Sequence, residues 1–184
     1  MTDPGWDIPG VPREPSAGAD AGFVRWYPAE ADVRGYDPEL GWLHAVAHGA
    51  DLLGAFGRSP QADPVPLLNL AAARLLADTD YVFAHQEDDR LGYAVGLTLT
   101  REELSEADVV GWLDPIAADF AAGEPGPVPA HASNSMRTLR FLYLLADRGV
   151  RPDWNSGDPM PLRHRDILRH RLADVLALVA PMTG

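Results

Sequence analysis

Apolar residues recur along this chain at intervals of three and four, the spacing that lines one face of an α-helix. The first such run follows Asp37-Pro38-Glu39. Aspartate suits an N-cap, proline the first helical position, and glutamate the positive end of the helix dipole. A helix is therefore predicted from about Pro38 to Phe56, stopping near Gly57. A second starts after Asp63-Pro64 and carries Leu67, Leu68, Leu70, Leu75 and Leu76, and a third covers roughly Asp80 to Leu99. Thr100 to Glu103 fits a capping box, and Ser105 opens a helix running through Trp112 and Phe120. Gly123 to Pro129 breaks the pattern, and Ser135 is placed to cap a helix bearing Leu139, Leu142 and Leu145 that Gly149 closes. After a loop from Val150 to Pro161, a last helix carries Ile167, Leu168, Leu172, Val175, Leu176 and Val179.

Strand signals are nearly absent, with no alternating β-branched run and no Asn-Gly or Asp-Gly hairpin. The predicted class is all-α: about six helices in antiparallel pairs, as a bundle or a short HEAT-like stack. No clean internal repeat is present. Residues 1–22 have no periodicity and contain Pro4, Pro9, Pro12 and Pro15 with four glycines, which predicts a flexible tail ahead of a single helical domain over 23–184. A length of 184 residues with 46% hydrophobic and 23% charged residues suits one globular core. The five tryptophans, Trp6, Trp26, Trp42, Trp112 and Trp154, read as core or tail anchors.

Charge changes this picture in one respect. All 15 basic residues are arginine, and the net charge of −12 is uneven. Residues 134–184 hold eight Arg against five Asp, leaving −15 on the rest. An acidic body repels phosphate backbones, which argues against nucleic acid as a partner. The basic end, with Arg163, His164, Arg165, Arg169, His170 and Arg171, either complements the acidic body or docks an acidic partner. No apolar run reaches the ~20 residues of a membrane span, and no secretory pattern opens the chain, so a cytoplasmic location without membrane contact is expected. The absence of cysteine leaves His and carboxylate side chains as metal ligands.

On the first predicted helix, a wheel sets Trp42, Val46, Leu53 and Phe56 on one side and His44, His48 and Asp51 on the other. The i, i+4, i+7 spacing stacks those three along a ridge whose neighbours are Leu40, Ala47 and Ala55. Two imidazoles and a carboxylate in that order could ligate a divalent metal or form an acid–base pair. The metalloprotease motif needs Glu after the first His, where this chain has Ala45. A second cluster, His85, Glu87, Asp88, Asp89 and Arg90, puts Glu87 beside Ala84, Leu91 and Ala94, which predicts a buried carboxylate in need of a partner. Arg34 is the candidate partner, through a bidentate pair. No nucleophile elbow, P-loop or dinucleotide-binding glycine pattern is present.

The block Arg34-Gly35-Tyr36, followed by Gly41-Trp42-Leu43-His44-Ala45-Val46-Ala47-His48-Gly49-Ala50-Asp51, resembles the bacterial family of domain of unknown function 2785. Glu87-Asp88-Asp89-Arg90-Leu91 is similar to that family's second acidic block. The resemblance covers most of residues 30–100 and implies a helical bacterial protein of stacked helix pairs, with no assigned activity and no catalytic residues to carry over. Members of the family have further helices ahead of the Arg-Gly-Tyr block, whereas 33 residues precede Arg34 here. A shortened member would leave apolar helix faces uncovered, and self-association as a homodimer is the expected remedy.

Three readings of function follow. In the first, the protein is a scaffold or interaction module, with Arg34, His44, His48, Asp51, His85, Glu87, Asp88 and Arg90 as a polar network. In the second, the same cleft binds a small ligand without chemistry. In the third, it is a metal-dependent hydrolase with His44, His48 and Asp51 as ligands and Glu87 or Asp88 as fourth ligand or base.

Overall fold

The computed structural model describes residues 17–124, 126–153, 157–180 and 182, with side chains from residue 21 onward. The elements are α1 (Ala17–Ala29), β1 (Tyr36–Asp37), β2 (Gly41–Trp42), α2 (Ala45–Arg58), α3 (Pro64–Leu76), α4 (Glu87–Thr98), α5 (Glu106–Gly111), α6 (Asp114–Ala122), α7 (Ala130–Arg148) and α8 (Arg165–Ala177). The class is all-α, with a two-stranded hairpin as the one sheet among the described residues.

Helices α2, α4 and α7 lie side by side and point the same way. Gly54 of α2 meets Ala94 of α4, and Gly57 meets Thr98 one turn on. On the other side of α4, Gly92 meets Phe141 of α7 and Gly96 meets Leu145. Ascending numbers on all three helices fix the common direction, and α3 and the α5–α6 pair carry the chain back between them. The missing side chains let the backbones approach. A Cβ at Gly54 would stand 3.3 Å from the Ala94 backbone, tighter than ordinary packing allows. One continuous core runs from Phe23 to Leu176, with Leu53, Leu68, Leu91, Leu139, Leu142 and Leu168 fully enclosed.

Several helix boundaries differ from those the sequence predicts, each for a local reason. Helix α1 begins at Ala17, inside the stretch expected as a tail; residues 1–16 of that stretch lie outside the described residues. Its Phe23 and Tyr27 enter the core, and the buried Tyr27 hydroxyl donates to Val46 O at 2.9 Å. Arg74, 2% exposed, donates to Tyr27 O and Glu30 O at 3.0 and 2.9 Å, so a cation meets the free carbonyls at the end of α1.

The helix predicted from Pro38 begins at Ala45 instead. Asp37 does cap backbone N–H groups, those of Glu39 and Leu40 at 2.9 and 3.0 Å, but the capped turn reverses the chain. Gly41, at φ +80°, completes the reversal, and Tyr36 pairs with Trp42. An Asx turn and a helix N-cap share one signature, and the positive-φ Gly41, four residues after Asp37, decides between them.

The third predicted helix begins at Glu87, because residues 77–86 form a loop. The capping box is built by Ser105 and Asp108, not by Thr100 and Glu103. The expected helix from Ser105 to Phe120 breaks at Trp112–Leu113 ahead of Pro115, giving α5 and α6. Helix α7 starts at Ala130 rather than Ser135, whose buried hydroxyl donates to Leu75 O at 3.3 Å. It ends as predicted at Gly149, at φ +89°.

Candidate functional site

The hairpin and the N-termini of α2 and α4 meet at one end of the molecule. His44 ends the hairpin and precedes α2, and Gln86 holds the same position ahead of α4. These are the two non-glycine residues with positive φ among those described, at 49° and 67°, and neither side chain caps its helix. A left-handed conformation costs such residues roughly 1–3 kcal/mol each and persists where surrounding contacts over-determine it. For His44 those contacts are visible. Leu43 N donates to Gly35 O at 2.9 Å, and His44 N is shared between Arg34 O and Gly35 O at 3.2 Å.

Glu87, the first residue of α4, is completely buried at the base of this end. Its Oε2 accepts from His85 N at 2.8 Å, which holds the turn through Gln86. Its Oε1 lies 3.5 Å from His44 Nε2, but the two lack hydrogen-bond geometry and both atoms are buried without a partner. Gly35 closes over them. A Cβ there would fall on Glu87 Oε1 and stand 2.7 Å from His85 Nδ1, so this position of the Arg-Gly-Tyr block has no room for a side chain. Burial lowers the His44 pKa, and the nearby Glu87 carboxylate opposes that shift without cancelling it. The imidazole is thereby held towards its neutral form at neutral pH.

Over this base lies a group of rings. Trp42 packs on His44 at 4.5 Å between centroids and stands perpendicular to His85 at 5.6 Å. Tyr36 meets Trp42 at 5.1 Å in an edge arrangement and His85 at 6.3 Å. Tyr81 OH lies 3.3 Å from His85 Nδ1, and Gly35 N donates to that hydroxyl at 3.4 Å. The outer members are open to solvent: Tyr36 is 45% exposed, Trp42 62%, and Leu40 at the hairpin tip 68%. Trp42, expected in the apolar stripe of a helix, instead stands on a strand outside the core. Val46, Leu53 and Phe56 of that stripe are buried as expected.

The sequence-predicted residues divide among separate pairs. Arg34 does not reach Glu87. It pairs with Asp32 at 2.8 Å and Asp37 at 2.6 Å, bracing the base of the hairpin. Those contacts hold Asp32 down at a pKa of about 2, chiefly through the Arg34 side chain. Asp37 is also lowered, first by the N–H groups of Leu40 and Glu39. Asp88, nearly buried, pairs with Arg137 of α7 at 2.6 Å. Asp51 pairs with Arg90 at 3.2 Å and stands 4.0 Å from His48 Nδ1, on a solvated surface where both acidic and imidazole side chains are at least half exposed.

The ligand triad His44, His48 and Asp51 is therefore not assembled. His44 is not helical, so the wheel that stacked it with the other two does not hold, and its imidazole turns to Glu87. Among the described residues no three His, Asp or Glu side chains converge closely enough to hold a metal ion. His44, His85 and Glu87 do come together, across 40 residues of sequence. Tyr36, Trp42, Tyr81 and Gln86 are members of the site that the sequence reading passed over. The first two were visible as aromatic residues bracketing a turn of the Asp-Pro-Glu-Leu-Gly kind. Nothing local marked Gln86.

No helix among the described residues is long and apolar enough to cross a membrane. No curated protein and no solved structure matches the chain. Residues 20–144 match the family described as a protein of unknown function (DUF2785), a span that includes the hairpin, Glu87, all of α2 and α4 and most of α7. The chain belongs to the DUF2785 family.

Proposed function

We propose that this protein is a helical interaction module whose recognition element is the hairpin end. The observation that carries this reading is the contrast within that end: Tyr36, Leu40 and Trp42 are held out to solvent by a base that is buried and strained. Large apolar side chains clustered on a protruding turn, rather than scattered, mark binding surfaces. Aromatic anchors on a rigid support lose little entropy on docking, which is why such residues dominate interface energetics. The parallel layer of α2, α4 and α7 serves as the support, and the continuous core from Phe23 to Leu176 favours treating residues 23–184 as one domain that α1 extends back to Ala17.

Acid–base or metal chemistry is the weaker reading. The His44–Glu87 pair is closed off by Gly35, and Asp51 and Asp88 are engaged in ion pairs with Arg90 and Arg137. A photo-crosslinking amino acid placed at position 42, with one at the also exposed Leu178 as reference, tests the proposal in cells. A discrete adduct from position 42 and none from 178 is expected. No adduct from 42, or the same adducts from both positions, would overturn it.

A further inference from the structure

At the hairpin end a buried acidic side chain keeps one oxygen that no hydrogen bond satisfies. Glu87 is buried, and each guanidinium around it is engaged elsewhere: Arg34 by Asp32 and Asp37, Arg90 by Asp51, Arg137 by Asp88. His44, its nearest basic neighbour, makes no hydrogen bond to it. A buried carboxyl oxygen without a hydrogen bond is costly, and a donor or cation brought near it is favoured.

The rim is acidic as well. Asp32, Asp37 and Asp80 set three carboxylates against Arg34. Beside the ring cluster lies an open groove of about 430 Å³ bordered by Asp32, Arg34, Asp80 and Tyr81. The Tyr81 hydroxyl joins this groove to the rings through His85. Asp80 has no ion-pair partner among the described residues.

Resting on the reading of this end as a docking surface, we propose that its occupant is a basic segment of a partner protein. An Arg or Lys side chain of that segment lies against the open faces of Trp42 and Tyr36, above Glu87, and a neighbouring cationic side chain enters the groove towards Asp80. Aromatic faces attract cations through their quadrupole, and here the buried carboxylate adds to that attraction. An acidic segment would meet like charges, and a purely apolar one would leave Asp80 without a counter-charge. The rings and the groove are open to solvent, so a free small cation would stay mostly hydrated, whereas a chain segment covers both together.

The probes are the acetylated pentapeptide amide Gly-Arg-Ser-Arg-Gly and its twin with citrulline, a neutral isostere, at both arginine positions. Each is titrated into the full chain with nitrogen–proton NMR as the readout. The arginine peptide is expected to shift the Trp42 indole and the amides of residues 35–42 and 80–85, and the citrulline twin to bind at least five-fold more weakly. Trp42→Ala should weaken the arginine peptide about five-fold, the worth of one exposed cation–π contact. Glu87→Gln, which keeps shape and the bond to His85 N, and the surface change Asp80→Asn should each weaken it further in the same assay. Equal binding of the twins would overturn the cationic occupant; with a position-42 crosslink still present, the docking reading itself would stand. Binding of arginine amide as tight as the peptide would replace the segment by a small organic cation. A dimer in light scattering whose interface protects Trp42 would replace it by a second copy of this chain. Either result overturns the proposal.

Discussion

Helices α2 and α4 run together for their whole length, yet their two ends are built on opposite terms. At the C-terminal end no buried side-chain polar atom of the described residues lacks a hydrogen-bond partner. The Thr98 hydroxyl donates to Ala94 O at 2.9 Å, and Gly57 packs on that threonine. Arg101 donates to Gly57 O, Ser59 O and Ala62 O at 3.3, 2.5 and 3.3 Å, and it also binds Glu103. At the N-terminal end both preceding residues are left-handed without being glycine, neither caps its helix by side chain, and His44 Nε2 and Glu87 Oε1 are buried without partners. One pair of helices, one packing interface and one solvent do not produce such a difference. What separates the ends is that one closes the fold and the other holds out three exposed apolar side chains. Strain and unpaired polar atoms, which a fold otherwise removes, collect where a surface is held ready for something else.

The largest effect expected from this comparison is at the satisfied end. Arg101→Ala strips a guanidinium from three carbonyls at the end of α2 and in the loop that follows it, which become poorly solvated acceptors. Hydrogen bonds to charged groups contribute roughly 1.5–3 kcal/mol, so a loss of about 3 kcal/mol is expected in urea denaturation. Trp42→Ala at the other end removes a larger side chain that is mostly in water and should stay within about 0.5 kcal/mol of the parent. Equal losses at the two positions would break the comparison.

The next effect has the opposite sign. Gln86 sits at φ 67° with its side chain exposed, and glycine occupies that region without steric cost. Gln86→Gly should raise stability by about 1 kcal/mol, read as a higher urea midpoint at an unchanged slope. A decrease would mean that the left-handed turn stores no strain.

How much of this was legible beforehand follows the range of each signal. The all-α class, the amphipathic faces and the stop at Gly149 rest on periodicity and single-residue chemistry, and they survive in the structure. The burial of Glu87 was also legible, since Leu91 and Ala94 on its side of α4 are buried, although Ala84, grouped with them on the wheel, is exposed in the loop before the helix. The partner of Glu87 was not. Arg34 was chosen on charge, but Asp32 and Asp37 lie two and three residues away and take the guanidinium first, at the smaller entropy of a short loop. The ligand ridge failed because a wheel presumes a helix, and His44 lies one residue before the helix starts. Gln86 and the Tyr81–His85 contact depend on where the loop of residues 77–86 settles, and that is decided by packing distant in sequence, such as Asn134 donating to Tyr81 O at 3.0 Å and accepting from Phe83 N at 2.8 Å.

The smallest expected effect concerns acid. His44 has its pKa lowered from 6.5 in the folded protein, first by burial, with Arg90, His48 and His85 adding to the shift and Glu87 opposing it. The unfolded chain then binds more protons than the folded one between the two values, so stability rises with pH across that window. Above the ordinary value the imidazole is neutral in both states and contributes no dependence. As pH falls from about 6.5 through the lower folded value, the fold loses stability because the ring must charge in a partly desolvated site. Thermal midpoints at pH 7.5 and 5.5 should therefore differ more in the parent than in His44→Asn, which removes the titrating ring and tolerates the left-handed backbone. The difference should stay below the ~1 kcal/mol that moves a midpoint by about 2–4 °C in a chain of this size. If the parent instead gains stability on acidification, protonated His44 is bonding Glu87, the buried charge has an internal counter-ion, and the hairpin end is as well satisfied as the opposite one.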